Sequence, residues 1–215
     1  MIFNIKVGNM SPRRKEVIEW VRQQKAANDS FTVLDVGGTM GGWTHEIVDA
    51  IVDINPVQSG LYFKVNLNRY QDWDVVRNYV KEHGKFSFVI CSHTLEDIAN
   101  PMLVLDILPE IAESGFIAIP SKYRELAHIE SHQYRGYIHH RWIFNIRPEE
   151  PNLLVGFPKL SFIEQYLPLH RIGNASDEVA ELSFYWKDNI PYRIINDDYL
   201  GPTTNAVKEY YLSLL

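Results

Sequence analysis

Short apolar segments alternate with amphipathic ones along the first half of the chain. Five apolar segments are typical of buried strands, and they cover residues 31–36, 50–56, 62–65, 86–91 and 115–119. Apolar residues at helical spacing predict helices over about 11–26, 43–49, 72–82 and 100–112. Ser11 is the expected N-cap of the first of these helices, and Asn100 is the expected N-cap of the fourth. Strands that alternate with helices predict parallel βαβ units and a sheet covered on both faces.

The second half of the chain has a less regular pattern. A short helix is expected within 121–133, and the apolar runs at 141–145 and 152–155 predict a hairpin with a long loop. Further elements are expected as a helix over 159–166, strands over 169–172 and 182–186, and a closing helix near 204–214. Residues 2–7 alternate weakly, which predicts a short strand or a cover.

Composition and charge restrict the class of protein. The chain has 215 residues, 46% of them hydrophobic, which is ordinary for one globular domain. The net charge of −6 and the pI near 5.7 argue against a polyanionic partner, so nucleic acid is not expected. Cys91 is the only cysteine, so no intrachain disulfide can form. Neither a leader core nor a bilayer-spanning apolar run is seen, and we expect a cytoplasmic protein without a membrane partner.

The segment from Phe31 to Trp43 reads FTVLDVGGTMGGW and places four glycines within six residues after an apolar strand. Glycines at such a junction let a ligand approach the main chain, and a following helix would offer N–H groups to a negative group. A dinucleotide fingerprint requires three glycines spaced G-x-G-x-x-G. This chain has Thr39 in place of the second glycine, which argues against NAD.

Polar residues follow several of the predicted strands. Asp53, Asn66, Ser92 and His93 all lie at strand ends, as the glycine turn does. The carboxyl ends of parallel strands lie along one edge of the sheet, and ligands bind there, where the strand order reverses. This convergence predicts a ligand site at that edge.

Two segments resemble class I S-adenosylmethionine-dependent methyltransferases. FTVLDVGGTMGGW is similar to their first motif, usually D/E-x-G-x-G-x-G, and residues 86–126 are similar to a region with an SHVLEH segment, a capped helix and a strand ending in Pro. The resemblance implies a Rossmann-like, doubly wound α/β fold with a mostly parallel seven-stranded sheet and an antiparallel last strand. It also implies S-adenosylmethionine as cofactor and S-adenosylhomocysteine as product. The chain departs from the pattern at Thr39, Asp97 and Ser114.

The resemblance assigns cofactor roles to residues around the strand ends. The glycine turn would face the amino-acid end of the cofactor, with Asp35 orienting the turn or receiving the ammonium. Asp53 would accept hydrogen bonds from both ribose hydroxyls, a task suited to a carboxylate. The predicted cofactor-binding residues are Asp35, Gly37, Gly38, Thr39, Gly41, Asp53, Ile54, Asn66, Leu67 and Ser92. The alternative is a tight turn and a solvated acid without a ligand.

The histidines indicate where an acceptor would bind. Five of the eight fall between His93 and His140, and the densest piece, residues 134–142, reads YRGYIHHRW. Histidine suits removal of a proton from an acceptor hydroxyl because its pKa lies near neutrality. We predict His139 or His140 as general base, one of the two facing the site, and His93 at the methyl-transfer end. Arg135, Tyr137 and Arg141 are the predicted substrate-binding residues. The alternative is a packed aromatic cover.

No metal site is predicted, although one alternative set of ligands exists. His128 and His132 would share one face of a helix, and His139 or His140 would complete the set. Cys91 at a buried strand end is expected to be inert.

The predicted organisation is a single domain, residues 1–215. It comprises an N-terminal helical cover (1–30), a cofactor-binding half (31–120), an acceptor-side half with an inserted hairpin (121–187) and a tail with a helix (188–215). We predict a methyltransferase that acts on a small polar acceptor, by O-methylation of a sugar or another small metabolite. The alternatives are a catalytically inactive binding or scaffolding protein with this fold and another nucleotide-binding Rossmann-like enzyme. We expect the tail to pack either on its own core or on a second copy of the chain, and the second case would make the protein a homo-oligomer.

Overall fold

A computed structural model describes residues 1–39, 41–55, 60–160, 173–195 and 204–214. The described strands are β1 (Ile2–Gly8), β2 (Val33–Val36), β3 (Ala50–Asp53), β4 (Leu61–Lys64), β5 (Phe88–Ser92), β6 (Ser114–Pro120), β7 (Trp142–Ile146), β8 (Leu154–Pro158), β9 (Glu181–Lys187) and β10 (Tyr192–Ile194). The described helices are α1 (Met10–Ala27), α2 (Asp74–His83), α3 (Pro101–Ile111), α4 (Lys122–Glu125) and α5 (Thr204–Leu212), with 3-10 turns at Tyr70–Trp73 and Asp177–Val179.

The main sheet has seven strands in the order β1-β9-β6-β5-β2-β3-β4. Five adjacent strands are mutually parallel, namely β6, β5, β2, β3 and β4. By contrast, β9 runs antiparallel to β6, and β1 runs antiparallel to β9. The predicted α/β fold with an antiparallel late strand is therefore confirmed. From β2 the chain first builds towards β4 and then returns to build β5 and β6 on the other side. The strand order thus reverses between β2 and β5, where open α/β sheets bind ligands.

The alternation of side chains explains why the sheet is buried on both faces. Val33 of β2 packs with Val17 and Val21 of α1, whereas the next residue, Leu34, belongs to the core on the opposite face, with Leu108 of α3. Successive residues of a strand point to opposite faces, so a strand covered on both sides must be apolar throughout. This is the physical reason that continuous apolar runs predicted these strands.

A second, three-stranded sheet is formed by the acceptor-side half and the tail. β7 and β8 form the predicted antiparallel hairpin, and β10, which the pattern did not predict, adds to β8 in parallel. The closing helix α5 confirms the prediction for 204–214, and its Val207 and Tyr211 pack with Ile143 and Phe157. The tail therefore packs on its own core.

The predicted helix over 43–49 is wrong. Residues 41–47 form consecutive turns, in which the N–H of His45 donates to Gly42 O (3.1 Å) and that of Ile47 to Thr44 O (2.9 Å). The chain must rejoin the sheet by Asp49, whose N–H donates to Val33 O at 2.8 Å and whose carboxylate accepts from the Val33 N–H at 2.7 Å. This return to the sheet leaves turns in place of the predicted helix, so the glycine turn leads into no helix N-terminus.

The start of α1 differs from the prediction by two residues. The N-cap of α1 is Asn9 rather than Ser11, because the Asn9 side chain accepts from the Ser11 N–H at 2.9 Å.

Two predicted elements of the second half lie outside the described residues. The helix over 159–166 falls largely outside them, and the strand over 169–172 falls wholly outside them. Within the described part of the chain, no helix has the length and apolar character needed to cross a bilayer.

Candidate functional site

The glycine turn is packed tightly against the residues beneath it. Gly37 has a φ of +80°, and a Cβ there would lie 2.3 Å from Thr94 Oγ1. A Cβ at Gly38 would lie 2.0 Å from the Asp35 carboxylate. Neither position can hold a side chain without displacing a neighbour, so the glycines allow the turn to lie directly on Asp35 and Thr94.

Asp35 is buried under the turn. It is 3% exposed and accepts a hydrogen bond from the Thr44 hydroxyl. Burial raises the pKa of its carboxyl group to about 6, because a charged carboxylate is poorly solvated there. Of the two roles predicted for Asp35, this position favours orienting the turn over receiving an ammonium group.

A cleft of about 350 Å³ lies outside the carboxyl ends of β2, β3 and β5, and we call it the switch-point cleft. Its described lining residues are Gly37, Asp53, Ile54, Asn55, Asn66, Leu67, Asn68, His93, Thr94, Asp97 and Ile98. Five of the predicted cofactor residues lie there, namely Gly37, Asp53, Ile54, Asn66 and Leu67. Asp35, Gly38, Thr39, Gly41 and Ser92 are not among the described lining residues.

The sequence analysis did not assign several lining residues. Asn55 and Asn68 directly follow residues that were assigned, and their strand-end positions were the available signal. Thr94 and Asp97 lie in the loop after β5. Asp97 was noted only as a departure from the family pattern, so its position in the cleft is new.

His93 stands between two acids at the end of β5. Its φ is +52°, and its backbone N–H donates to Ala118 O at 2.8 Å. Nδ1 lies 3.2 Å from Glu96 Oε1 and Nε2 lies 3.0 Å from Glu181 Oε2, and both glutamates are 1% exposed. Burial opposes the charge on the imidazole, but the hydrogen bonds to Glu181 and Glu96 outweigh it and raise the pKa of His93 to about 9. His93 is therefore protonated near neutral pH and does not act as a proton acceptor there.

A second cleft of about 260 Å³ is also lined by His93, and we call it the histidine cleft. Its described lining residues are Met10, Arg14, His93, Glu96, Asp97, Pro120, Arg124, Tyr137, His139, His140 and Ala180. His93, Tyr137, His139 and His140 were predicted at the acceptor side, whereas the acids and the two arginines were not. His93 and Asp97 line both clefts, so the two spaces adjoin at these residues.

His140 is held by a buried carboxylate. Its side chain is 7% exposed, Nδ1 lies 2.5 Å from Glu125 Oε1, and Glu125 Oε2 accepts from Lys159 Nζ at 2.9 Å. Nε2 of His140 lies 3.6 Å from Asp97 Oδ1. Nδ1 is thus turned to the interior and Nε2 to the cleft side, where Asp97 stands.

The two adjacent histidines do not face opposite ways. Nε2 of His139 also lies near Asp97, 3.8 Å from Oδ1, although this side chain is 59% exposed. The expectation that only one of the two faces the site assumed a strand, but β7 begins only at Trp142 and residues 139–140 lie in a turn. Both imidazoles therefore lie near the same acid, Asp97.

The two predicted substrate-binding arginines lie elsewhere. Arg135 is 1% exposed and its guanidinium donates to Leu126 O in the interior. Arg141 donates from its backbone N–H to Glu96 O (2.6 Å) and from Nε to Asp97 O (3.1 Å). Arg141 therefore fixes the loop that carries the acids, and neither arginine is among the described lining residues of the histidine cleft.

The alternative metal ligands do not come together. α4 ends at Glu125, so His128 and His132 are not on a shared helical face, and Nδ1 of His128 contacts the carbonyl groups of Ser131 (3.2 Å) and Tyr134 (3.1 Å). In the described ranges, the group whose potential ligand atoms all lie within 4.8 Å of one another is Asp97, His139 and His140. Cys91 is buried, and burial raises the pKa of its thiol far above its ordinary value, in keeping with the expected inert role.

Three solved structures are similar to the chain. A cyclopropane-fatty-acyl-phospholipid synthase-like protein from Lactobacillus casei has 11% identity and a TM-score of 0.39, over 85% of this chain and 96% of that one. The methyltransferase domain of bacterial CtHen1-CN has 12% identity and a TM-score of 0.38, over 81% and 97%. The N-terminal domain of EvdMO1, crystallised in the presence of SAH and D-fucose, has 14% identity and a TM-score of 0.34, over 79% and 81%. No family model matches the chain, nor does any curated protein. The strand order shows an α/β, Rossmann-like fold with a mostly parallel seven-stranded sheet.

Proposed function

We propose that the protein is an S-adenosylmethionine-dependent methyltransferase that acts on a small polar acceptor, by O-methylation of a sugar or another small metabolite. One observation carries this proposal: the switch-point cleft and the histidine cleft adjoin at His93 and Asp97. A group-transfer enzyme needs two such adjoining spaces, one for the donor and one for the acceptor.

The switch-point cleft would hold the cofactor. Asp53 stands at the end of β3 and would accept hydrogen bonds from the ribose hydroxyls, while Asn66 and Leu67 would border the adenine. Gly37 would let the amino-acid end of the cofactor approach the main chain. The methyl group would then point towards His93, where the two clefts meet.

Methyl transfer from a sulfonium is a direct displacement. The acceptor oxygen attacks the methyl carbon, the carbon–sulfur bond breaks, and the sulfur keeps the electron pair. The hydroxyl must lose its proton, and His140 is the proposed base because Glu125 holds Nδ1 and turns Nε2 towards the cleft. His139, beside the same acid, would support this role, and protonated His93 would position groups at the junction.

The histidine cleft restricts the acceptor. Its volume of about 260 Å³ lies just below the usual range of ligand sites, so a compact molecule is favoured over a polymer. The lining carries acids, arginines, histidines and a tyrosine, which offer both donors and acceptors to a polyhydroxylated molecule.

Calorimetric titration with S-adenosylmethionine and S-adenosylhomocysteine tests this function. Micromolar binding of either ligand, followed by product formation with a panel of sugars and other hydroxylated metabolites, is the expected result. Absence of binding at millimolar ligand would overturn the proposal and favour a non-catalytic protein with this fold.

A further inference from the structure

We propose that Asp97, His139 and His140 bind one divalent transition-metal ion at the wall of the histidine cleft. The site rests on the geometry of these side chains, and its catalytic use rests on the proposed function. With the ion bound, the ion would supply the activation of the acceptor that His140 supplies as a base in the metal-free protein.

The three ligand atoms are spaced almost as an ion requires. Asp97 Oδ1 lies 3.8 Å from Nε2 of His139 and 3.6 Å from Nε2 of His140, and all three atoms fall within 4.8 Å of one another. Metal bonds to imidazole nitrogen and carboxylate oxygen of about 2.0–2.2 Å place tetrahedral ligands roughly 3.4 Å apart. Small side-chain rotations therefore close the set.

The environment of His140 is a second and independent sign of metal binding. A carboxylate that faces Nδ1 favours a proton on that nitrogen, and this tautomer leaves the lone pair of Nε2 for a metal. Glu125 is 1% exposed and is itself paired with Lys159. Metal-binding histidines characteristically donate the other ring nitrogen to a carboxylate in this way.

A buried acid beside the ligands also lacks a full set of partners. Glu96 is 1% exposed, lines the same cleft and precedes Asp97 in the chain. No described residue gives a hydrogen bond to its Oε2, although Oε1 lies 3.2 Å from His93 Nδ1. Protonated His93 faces only Oε1, so a cation held by the adjacent residue Asp97 would further stabilise this buried acid, because burial deprives its charge of water.

The ligand types select the class of ion. Two imidazole nitrogens and one carboxylate suit zinc, manganese, iron, cobalt or nickel, whereas calcium and magnesium prefer oxygen ligands alone. Three protein ligands leave positions open for a substrate oxygen. An acceptor hydroxyl placed there is polarised and loses its proton to water more readily, and its oxygen then attacks the methyl carbon as described above.

The test is titration of the chelator-treated full chain with Zn2+ by calorimetry and with Co2+ by visible absorption, without cofactor. We expect one ion per chain at micromolar affinity, with cobalt bands typical of nitrogen and oxygen ligands. Asp97→Ala and His139→Ala should each weaken binding at least tenfold, and Glu125→Gln should weaken it about 10- to 100-fold. His132→Ala is the matched control, because this histidine is exposed in the same segment and outside the set.

Two outcomes would overturn the site. One is absence of binding at millimolar ion, and the other is binding that Asp97→Ala and His139→Ala leave unchanged. Both of these side chains are largely exposed, so their variants are expected to fold, and thermal unfolding checks this. A parallel titration with S-adenosylhomocysteine in chelator separates the two proposals: cofactor binding without metal binding refutes the metal site alone, and metal binding without cofactor binding refutes the function alone.

Discussion

His93 and Glu181 are 88 residues apart in the chain, yet Nε2 of His93 lies 3.0 Å from a carboxylate oxygen of Glu181. The contact exists because β9, which begins at Glu181, pairs with β6. β6 in turn pairs with β5, which ends just before His93. A strand outside the parallel βαβ series thus supplies a charge to the junction of the two clefts.

The His93 pair predicts a pH-dependent stability. The folded-state pKa is raised from 6.5 to about 9, so the contribution is fully present below pH 6.5 and is lost as the pH rises through 9. The shift corresponds to roughly 3 kcal/mol at most, and partial exposure of the imidazole reduces this to about 1–2 kcal/mol.

His93→Asn provides the matched comparison, because asparagine tolerates the positive φ of this position. Urea unfolding of both proteins from pH 6 to pH 10 measures the effect. The stability advantage of the wild type should shrink across this interval, and a constant difference would contradict the assigned protonation.

Asp53→Ala should weaken binding of S-adenosylhomocysteine at least tenfold. Hydrogen bonds from ribose hydroxyls to a carboxylate contribute roughly 1.5–3 kcal/mol each. Calorimetry measures the change, with Asp29→Asn as a control on the exposed turn before β2. Unchanged affinity in Asp53→Ala would remove this residue from the cofactor site.

Gly38→Ala should destabilise the fold by about 2 kcal/mol, because its Cβ would overlap the buried Asp35 carboxylate, 2.0 Å away. Gly41→Ala is the control. Its Cβ meets no atom within 4 Å, so only the cost of its φ of +80° remains, about 1 kcal/mol. Thermal unfolding compares the two, and an equal or larger loss in Gly41→Ala would contradict the packing described for the turn.

His140→Gln should lower kcat by 10²- to 10⁴-fold, the range of a general base, with little change in the affinity for S-adenosylhomocysteine. His132→Gln should match the wild type, because this side chain is exposed and is not among the described lining residues of either cleft. Steady-state kinetics with an identified acceptor measures the change. Normal turnover in His140→Gln would exclude this residue from the reaction.

Local patterns predicted the central strands and the ligand edge well. Val33 and Leu34 pack on opposite faces, so burial on both sides left a continuous apolar run that is visible in the sequence. Asp53 and Asn66 follow such runs directly, and the edge of the sheet therefore brought them together.

Contacts between distant segments could not be predicted in the same way. Glu181 reaches His93 through the insertion of β9, and Glu125 reaches His140 through the turn before β7. The helix predicted after the glycine turn failed because its seven residues had to return the chain to the sheet at Asp49, a constraint that no local spacing expresses.

The position of β9 also governs the order in which the sheet can be completed. β1 pairs only with β9 in the described sheet, so residues 2–8 have no strand to pair with until residues 181–187 have left the ribosome. During synthesis the free edge of β6 stays open, and an unpaired edge invites pairing with other chains. Residues 2–8 must therefore wait for residues 181–187 before they can join the sheet, and slow translation between the two segments should favour aggregation.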